Sequence, residues 1–451
     1  MSAESFRERL RRLRKDGEPA ATHVPTAPAA PPLAEQLARH AQRRARRTVH
    51  TERSLTEAPP APARARNLSV GAPAELECAD ERGVLARRRV FAREHAHGAY
   101  TLGEIAHADA AALALCARDP ALAHASLADA LYLDTETTGL SGGAGTYVFL
   151  VGLGSFTASG FEIWQGFLAD PAHERALLAE AAERIARAPL LVTFFGKSFD
   201  RHRLEDKMRL HGVTPPFAGK PHLDLYHPLR RLYAASLPDA RLRTMEHALC
   251  GVERADDLPG SFAPAAWFDF LAGRAHLLEG VFAHNADDVL SLVTLGAHLG
   301  RVACGSRASG ERLSGSTRDR ELALVRLHVA ARDFDRAFVH LDRAAADSGA
   351  NEELELARAE VLMHARRFAE AYPLLGALAR ATSSHLSPRV FLCLARTALA
   401  VRATPAAIFV HLAQAERELD RRWTGREHAR GATELAKLRA RVERRVRSLT
   451  R

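Results

Sequence analysis

Residues 128–301 alternate short apolar runs with stretches whose apolar positions recur every three or four residues. The short runs are Leu131–Asp134, Tyr147–Phe156, Phe161–Phe167, Leu190–Phe194 and Leu223–Tyr226, and they read as strands. The longer stretches read as helices. One opens at Pro171 and runs to about Ala188, with Leu177, Leu178, Ala181 and Ile185 at helical spacing. Phe199–His211, Arg241–Cys250 and Leu277–Leu299 follow, the second of them closed by Gly251. Three strands in succession, then strand–helix alternation, predict an α/β fold: a mixed sheet with helices on both sides.

Upstream, residues 67–127 read as an ordered extension, with a strand over Val84–Glu94 and a helix over Ala108–Ala117. Residues 1–66 are broken by Pro19, Pro25, Pro28, Pro31, Pro32, Pro59, Pro60 and Pro62, and are expected to form a disordered arm. Downstream, residues 302–320 are rich in Gly, Ser and charge and are expected to be a linker. Beyond them the pattern is helical only. Asp333-Phe334-Asp335-Arg336-Ala337-Phe338 is echoed by Arg367-Phe368-Ala369-Glu370-Ala371-Tyr372, and Phe334 and Phe368 stand 34 residues apart, the tetratricopeptide period. Residues 321–420 therefore predict an all-α domain of tetratricopeptide-like repeats, with the aromatic at the turn between helices and Ala337 and Ala371 where helices pack closely. A third unit, Leu392 to about Leu419, is helical without the motif. Since about three repeats are needed for a stable stack, docking on the preceding domain is expected. Residues 421–451 predict a basic capping helix.

Charge adds a possible partner. The chain carries 63 Lys and Arg against 54 Asp and Glu, a net +9. Residues 1–66 hold 14 basic and 7 acidic residues, the balance of an arm that contacts polyanions, although Arg- and Ala-rich bias alone produces the same tail. No run of about 18 apolar residues argues for a membrane span, and the first residues lack the apolar core of a secretory signal. Cys78, Cys116, Cys250, Cys304 and Cys393 are odd in number and form no Cys-x-x-Cys pair. They support neither a disulfide framework nor a zinc site, and fit free thiols in a reducing cytoplasm, the expected location.

The candidate chemistry begins at Asp134-Thr135-Glu136. Side chains on a strand alternate faces, so the two acids share a face and Thr135 takes the other. Paired carboxylates that close a buried strand are costly unless a cation neutralises them; a strand that ends in a solvated turn is the plain alternative. Gly196-Lys197-Ser198-Phe199-Asp200 sets another acid at a helix start, where a cap is the usual role. His284-Asn285-Ala286-Asp287-Asp288 lies within the long helix, and His284 and Asp288, four apart, share a face. An ordinary surface pair has the same spacing.

In order and spacing, these segments resemble the DEDD exonucleases of the ribonuclease H-like superfamily, most closely their YprB-type branch. Val151-Gly152-Leu153-Gly154, His222-Leu223-Asp224-Leu225 and Asp256-Asp257-Leu258-Pro259-Gly260 add to the likeness. The resemblance implies a ribonuclease H-like domain over 128–301, with Asp134, Glu136, Asp200 and Asp288 as ligands of two Mg²⁺ or Mn²⁺ ions. Carboxylates are hard oxygen donors suited to those metals, and a metal pair clamps a scissile phosphate. It also implies that His284 takes the proton from the attacking water, a task suited to an unperturbed imidazole of pKa about 6.5. Thr137, Phe195 and Lys197 are the candidate substrate contacts. Two departures stand out. Phe195 occupies a position where many relatives have Asn, and the four-residue spacing of His284 and Asp288 is that of the tyrosine-type enzymes. Asp287 rivals Asp288 as ligand, and Asp224 is implied to be positional. The implied function is a metal-dependent 3′–5′ exonuclease on single-stranded DNA or RNA, with a protein partner possible at the repeats. The alternative is a nucleic-acid-binding or scaffold protein on the same frame, acting through its repeats and basic arm.

Overall fold

The computed structural model describes residues 71–78, 84–139, 145–254, 258–305, 316–349, 351–381 and 385–449. The arm expected over 1–66 lies outside these residues, as do Asp256 and Asp257.

The strands are β1 (Glu77–Cys78), β2 (Leu85–Phe91), β3 (Ala96–His97), β4 (Tyr100–Thr101), β5 (Leu131–Thr137), β6 (Val148–Thr157), β7 (Gly160–Phe167), β8 (Leu191–Thr193) and β9 (His222–Asp224). All but β3 and β4 form one seven-stranded sheet of order β1-β2-β7-β6-β5-β8-β9. Neighbours from β1 through to β5 are antiparallel, and β5, β8 and β9 run parallel. The mixed sheet expected from the strand order is thus present, and the upstream extension widens it by β1 and β2.

The helices of this part are α1 (Ala110–Ala117), α2 (Glu174–Arg187), α3 (Asp200–Leu210), α4 (Tyr226–Tyr233), α5 (Leu242–Met245), α6 (Ala263–Leu271) and α7 (Leu278–Ala303). Alternation along β5 feeds two cores. Leu131 and Leu133 pack with Leu177 and Leu178 of α2 and Leu204 and Met208 of α3. Tyr132 packs on the opposite face with Val289 and Val293 of α7. Each such side chain contributes about 1.5–3 kcal/mol when fully buried. Helix α5 continues directly into a π-turn, Glu246–Cys250, which Gly251 ends in the left-handed conformation at φ +67°. The extension meets α7 at buried His298, whose two ring nitrogens lie 3.0 Å from the hydroxyl of Tyr100 in the extension and 2.7 Å from that of Tyr233 in α4.

Helix α7 runs to Ala303 and α8 (Ser316–Ala330) opens before residue 320, so both ends of the linker expected over 302–320 are helical, and its residues 306–315 lie outside the described residues. Then come α9 (Phe334–Ser348), α10 (Glu352–His364), α11 (Phe368–Ala381), α12 (Ser387–Ala400), α13 (Pro405–Arg422) and α14 (Gly425–Leu449). Ala337 and Ala371 are fully buried where helices meet. Arg332, Arg366 and Arg402, at φ +61°, +62° and +60°, mark the same left-handed turn between paired helices three times. The third unit therefore keeps the turn without the aromatic: Thr404 stands where Phe334 and Phe368 do, and its hydroxyl caps α13 at Ala407. Ala323, Leu324 and Leu327 of α8 sit in the same core as Leu229 and Leu232 of α4, so the first repeat helix shares the hydrophobic core of the α/β part.

Candidate functional site

Strand β5 sets Asp134 opposite Gly152 of β6 and Glu136 opposite Leu150, with a bulge between Glu136 and Thr137. Bulges re-aim side chains at strand ends and are common beside active sites. Gly152 explains how α7 approaches so closely: a Cβ there would lie 2.3 Å from Asn285 Oδ1. The space left by the missing side chain lets Asn285 Nδ2 donate to Asp134 Oδ2 at 2.8 Å. Gln165 Nε2 of β7 donates to Asn285 Oδ1 at 2.9 Å, which fixes the amide's orientation.

Thr135 turns to the other face, towards α3, and donates to Asp200 Oδ1 at 2.5 Å. Asp200 is the first residue of α3, where the helix dipole favours an anion, and is buried at 6% exposure. Its carboxyl is nevertheless pushed up to about 6, because burial outweighs the Thr135 hydrogen bond. Asp224, at the end of β9, accepts from the backbone N–H groups of Phe195 (2.7 Å) and Lys197 (3.0 Å), and so pins the turn that leads into Asp200. Phe195 in that turn is 42% exposed, at φ +63°, with its ring edge against Tyr226. A left-handed aromatic residue is strained, and Asn tolerates this conformation far better. Lys197 faces away to Asp119 of the extension at 3.5 Å, and the Thr137 hydroxyl donates to the Gly139 carbonyl at 3.3 Å.

The fourth acid lies on α7. Asp288 Oδ1 is 2.6 Å from Arg254, whose same nitrogen lies 2.7 Å from Glu246 in the π-turn. Arg254 is 4% exposed, so one buried guanidinium serves two carboxylates. Glu246 also accepts from Ser291, and His97 Nε2 of β3 lies 2.8 Å from that hydroxyl. Because the one Ser291 hydrogen goes to Glu246, His97 must donate through Nε2. Burial, and then Arg254, lower the His97 pKa to about 4, so this ring stays neutral. His284 sits between the acid and the arginine. Its Nε2 is 3.6 Å from Asp288 Oδ2, and its Nδ1 is 3.4 Å from Arg254. A guanidinium accepts no hydrogen bond, so the Arg254 contact must open before the ring can carry two protons.

Electrostatics ties the pieces together. Asp134 is held well above the usual carboxylate range, first by burial and then by Asp288, Asp200 and Glu136, with the Asn285 hydrogen bond opposing them. Asp288 on α7 is felt by both Asp134 and Asp200. The structure thus brings Asp134, Glu136, Asp200 and Asp288 into one interacting group, with His284 beside Asp288. Lys197, Phe195 and Thr137 lie on the adjoining loops. This fold implies a divalent metal, and the donor set fits one: oxygen-only, anionic, and at Asp134 opposed by like charge rather than satisfied. Among the described residues, no three His, Cys, Asp or Glu side chains are already gathered at metal-holding positions.

An acid-bearing strand between an antiparallel set and two parallel strands, crossed by a helix that carries the last acid, defines the class. Residues 131–300 match a family model described as RNase_H superfamily, so this stretch is a ribonuclease H-like domain of nuclease-type fold. Over 254 residues the chain is 32% identical to "Uncharacterized protein YprB" of Bacillus subtilis (strain 168). The match takes in 55% of this chain and 60% of that protein, less than two thirds of its length. No helix among the described residues is long and apolar enough to cross a membrane.

Four residues that hold the acids in place escaped the sequence reading. Asn285 lies inside a quoted motif, and a buried Asn in an apolar helix was the available signal. Gln165, Glu246 and Arg254 gave none.

Proposed function

We propose that this chain is a metal-dependent nuclease that hydrolyses phosphodiester bonds, removing nucleotides from the 3′ end of single-stranded DNA or RNA. The observation that carries the reading is the raised Asp134 carboxyl, opposed by three neighbouring acids within a ribonuclease H-like domain. Buried like charges of this kind are sustained where a cation is part of the working state. Asp134, Glu136, Asp200 and Asp288 would hold two Mg²⁺ or Mn²⁺ ions. When bound, such ions polarise the phosphate and lower the pKa of water. The chain's own residues do the rest. Asn285 orients Asp134, Thr135 orients Asp200, and Arg254 fixes one oxygen of Asp288 and leaves the other on the His284 side. His284 takes the proton of the attacking water once Arg254 has left Nδ1, and Asp288 steadies the imidazolium. Phe195, exposed in its turn, offers a face to a base.

The test is cleavage of an end-labelled single strand with Mn²⁺, Mg²⁺ or chelator. Cutting that needs metal and is lost in Asp134→Ala and Asp288→Ala supports the reading. Wild-type protein that binds the strand and leaves it intact under both metals overturns it in favour of a scaffold. Loss in Asp287→Ala with activity kept in Asp288→Ala would move the ligand by one residue.

A further inference from the structure

Helix α14 treats its two flanks differently. Towards α13, its charges are matched: Arg439 pairs with Glu416 at 2.9 Å and His428 with Asp420 at 2.8 Å. Towards α12 its cations are not. Arg430, Lys437 and Arg441 recur at intervals of seven and four residues, which aligns them along one edge. None has a carboxylate partner among the described residues, and all three are exposed. With Arg396 of α12 they line a cavity of about 700 Å³ floored by buried Leu438. The only acid in its lining, Glu434, is already engaged by Arg396 at 3.2 Å. An adjoining cavity of about 340 Å³ shares Arg396, Leu438 and Arg441, and there Glu360 is taken by Arg389 through two 2.6 Å bonds.

We propose that this channel between α12 and α14 is a second binding site for single-stranded nucleic acid, one that takes the phosphodiester backbone. The proposal rests on the nucleic-acid reading of the ribonuclease H-like domain. The three cations span about 16 Å along the helix at 1.5 Å per residue, too long a row for one small anion and suited to successive phosphates. Flexible point charges over an apolar floor read backbone charge without base identity. The lining of the larger cavity has no Asn or Gln to hold a peptide backbone, which favours a polynucleotide over an acidic peptide.

The experiment uses the full chain in EDTA, so that binding is read apart from cutting, with a fluorescent single-stranded 30-mer titrated across a salt series. The triple variant Arg430→Gln, Lys437→Gln, Arg441→Gln is expected to bind at least ten-fold more weakly. Each lost phosphate contact removes about 0.7 from the salt slope on a single strand, so the slope should become shallower by about two. A control that neutralises exposed Arg88, Arg417 and Arg421 matches the net charge. In wild type, the strand should shield Lys437 from amine acylation and leave Lys220 reactive. Equal affinity and slope for triple variant and wild type, an equal fall in the control, or an unshielded Lys437 overturns the proposal. So does a polyglutamate peptide that competes as well as the strand. If wild type binds in EDTA yet never cuts with Mn²⁺, the nuclease reading fails and the channel stands.

Discussion

At the end of β5 carboxylates crowd one another, whereas along one edge of α14 cations stand without carboxylates. Asp134 is destabilised as an anion by burial and by Asp288, Asp200 and Glu136. Arg430, Lys437 and Arg441 are stable as they are, because water solvates exposed cations at little cost. The same imbalance of charge therefore has different consequences. Buried, it costs folding stability and creates demand for a cation. Exposed, it costs almost nothing and supplies long-range attraction for a polyanion. Between these extremes lies Asp288, half-buried and served by Arg254.

The largest expected effect is on Asp134. Asp134→Asn should lower metal-dependent cleavage by about a thousand-fold or more, since metal catalysis is worth several kcal/mol. It should also make the metal-free protein more stable, and urea denaturation in EDTA checks that sign. Arg254→Met should do the opposite to stability. It strands Glu246 and Asp288, for an expected loss of about 3–5 kcal/mol and about 10–100-fold weaker Mn²⁺ binding by calorimetry. Arg254→Lys should recover part of both.

The Asp200 carboxyl gives a pH signature. Its folded pKa of about 6 lies above the ordinary value, so its contribution to metal-free stability is present below pH 4 and is lost as pH rises through about 6. The loss should be roughly 3 kcal/mol, and Asp200→Asn should flatten it in denaturation curves across pH 4–7. Gly152→Ala is expected to cost about 1–3 kcal/mol by overpacking against Asn285, and less in an Asn285→Ala background, a coupling that a double-mutant cycle measures. The smallest effect belongs to α14. The Arg430, Lys437, Arg441 triple variant should change stability by no more than about 0.5 kcal/mol.

Local periodicity made part of this legible. Strand parity put Asp134 and Glu136 on one face, and helical spacing put His284 beside Asp288. The echo of Phe334 in Phe368 announced the repeats. What stayed hidden depended on geometry across the sheet or on broken periods. Asn285 reaches Asp134 only because Gly152, on another strand, has no side chain. Glu246 sits in a π-turn, where an extra residue per turn defeats a 3.6-residue reading. Arg254 follows Gly251 in a stretch without regular structure and carries no periodic mark. The third unit was legible only as helical, because Thr404 stands where the other two have an aromatic, and its turn shows in the left-handed Arg402.

The most direct test of the cation demand at β5 is the thermal midpoint of wild type and Asp134→Asn, each with and without saturating Mn²⁺. Wild type should start lower and rise on adding metal, and the variant should start higher and stay there. A wild-type midpoint unmoved by Mn²⁺, or an equal rise in both proteins, would contradict the account.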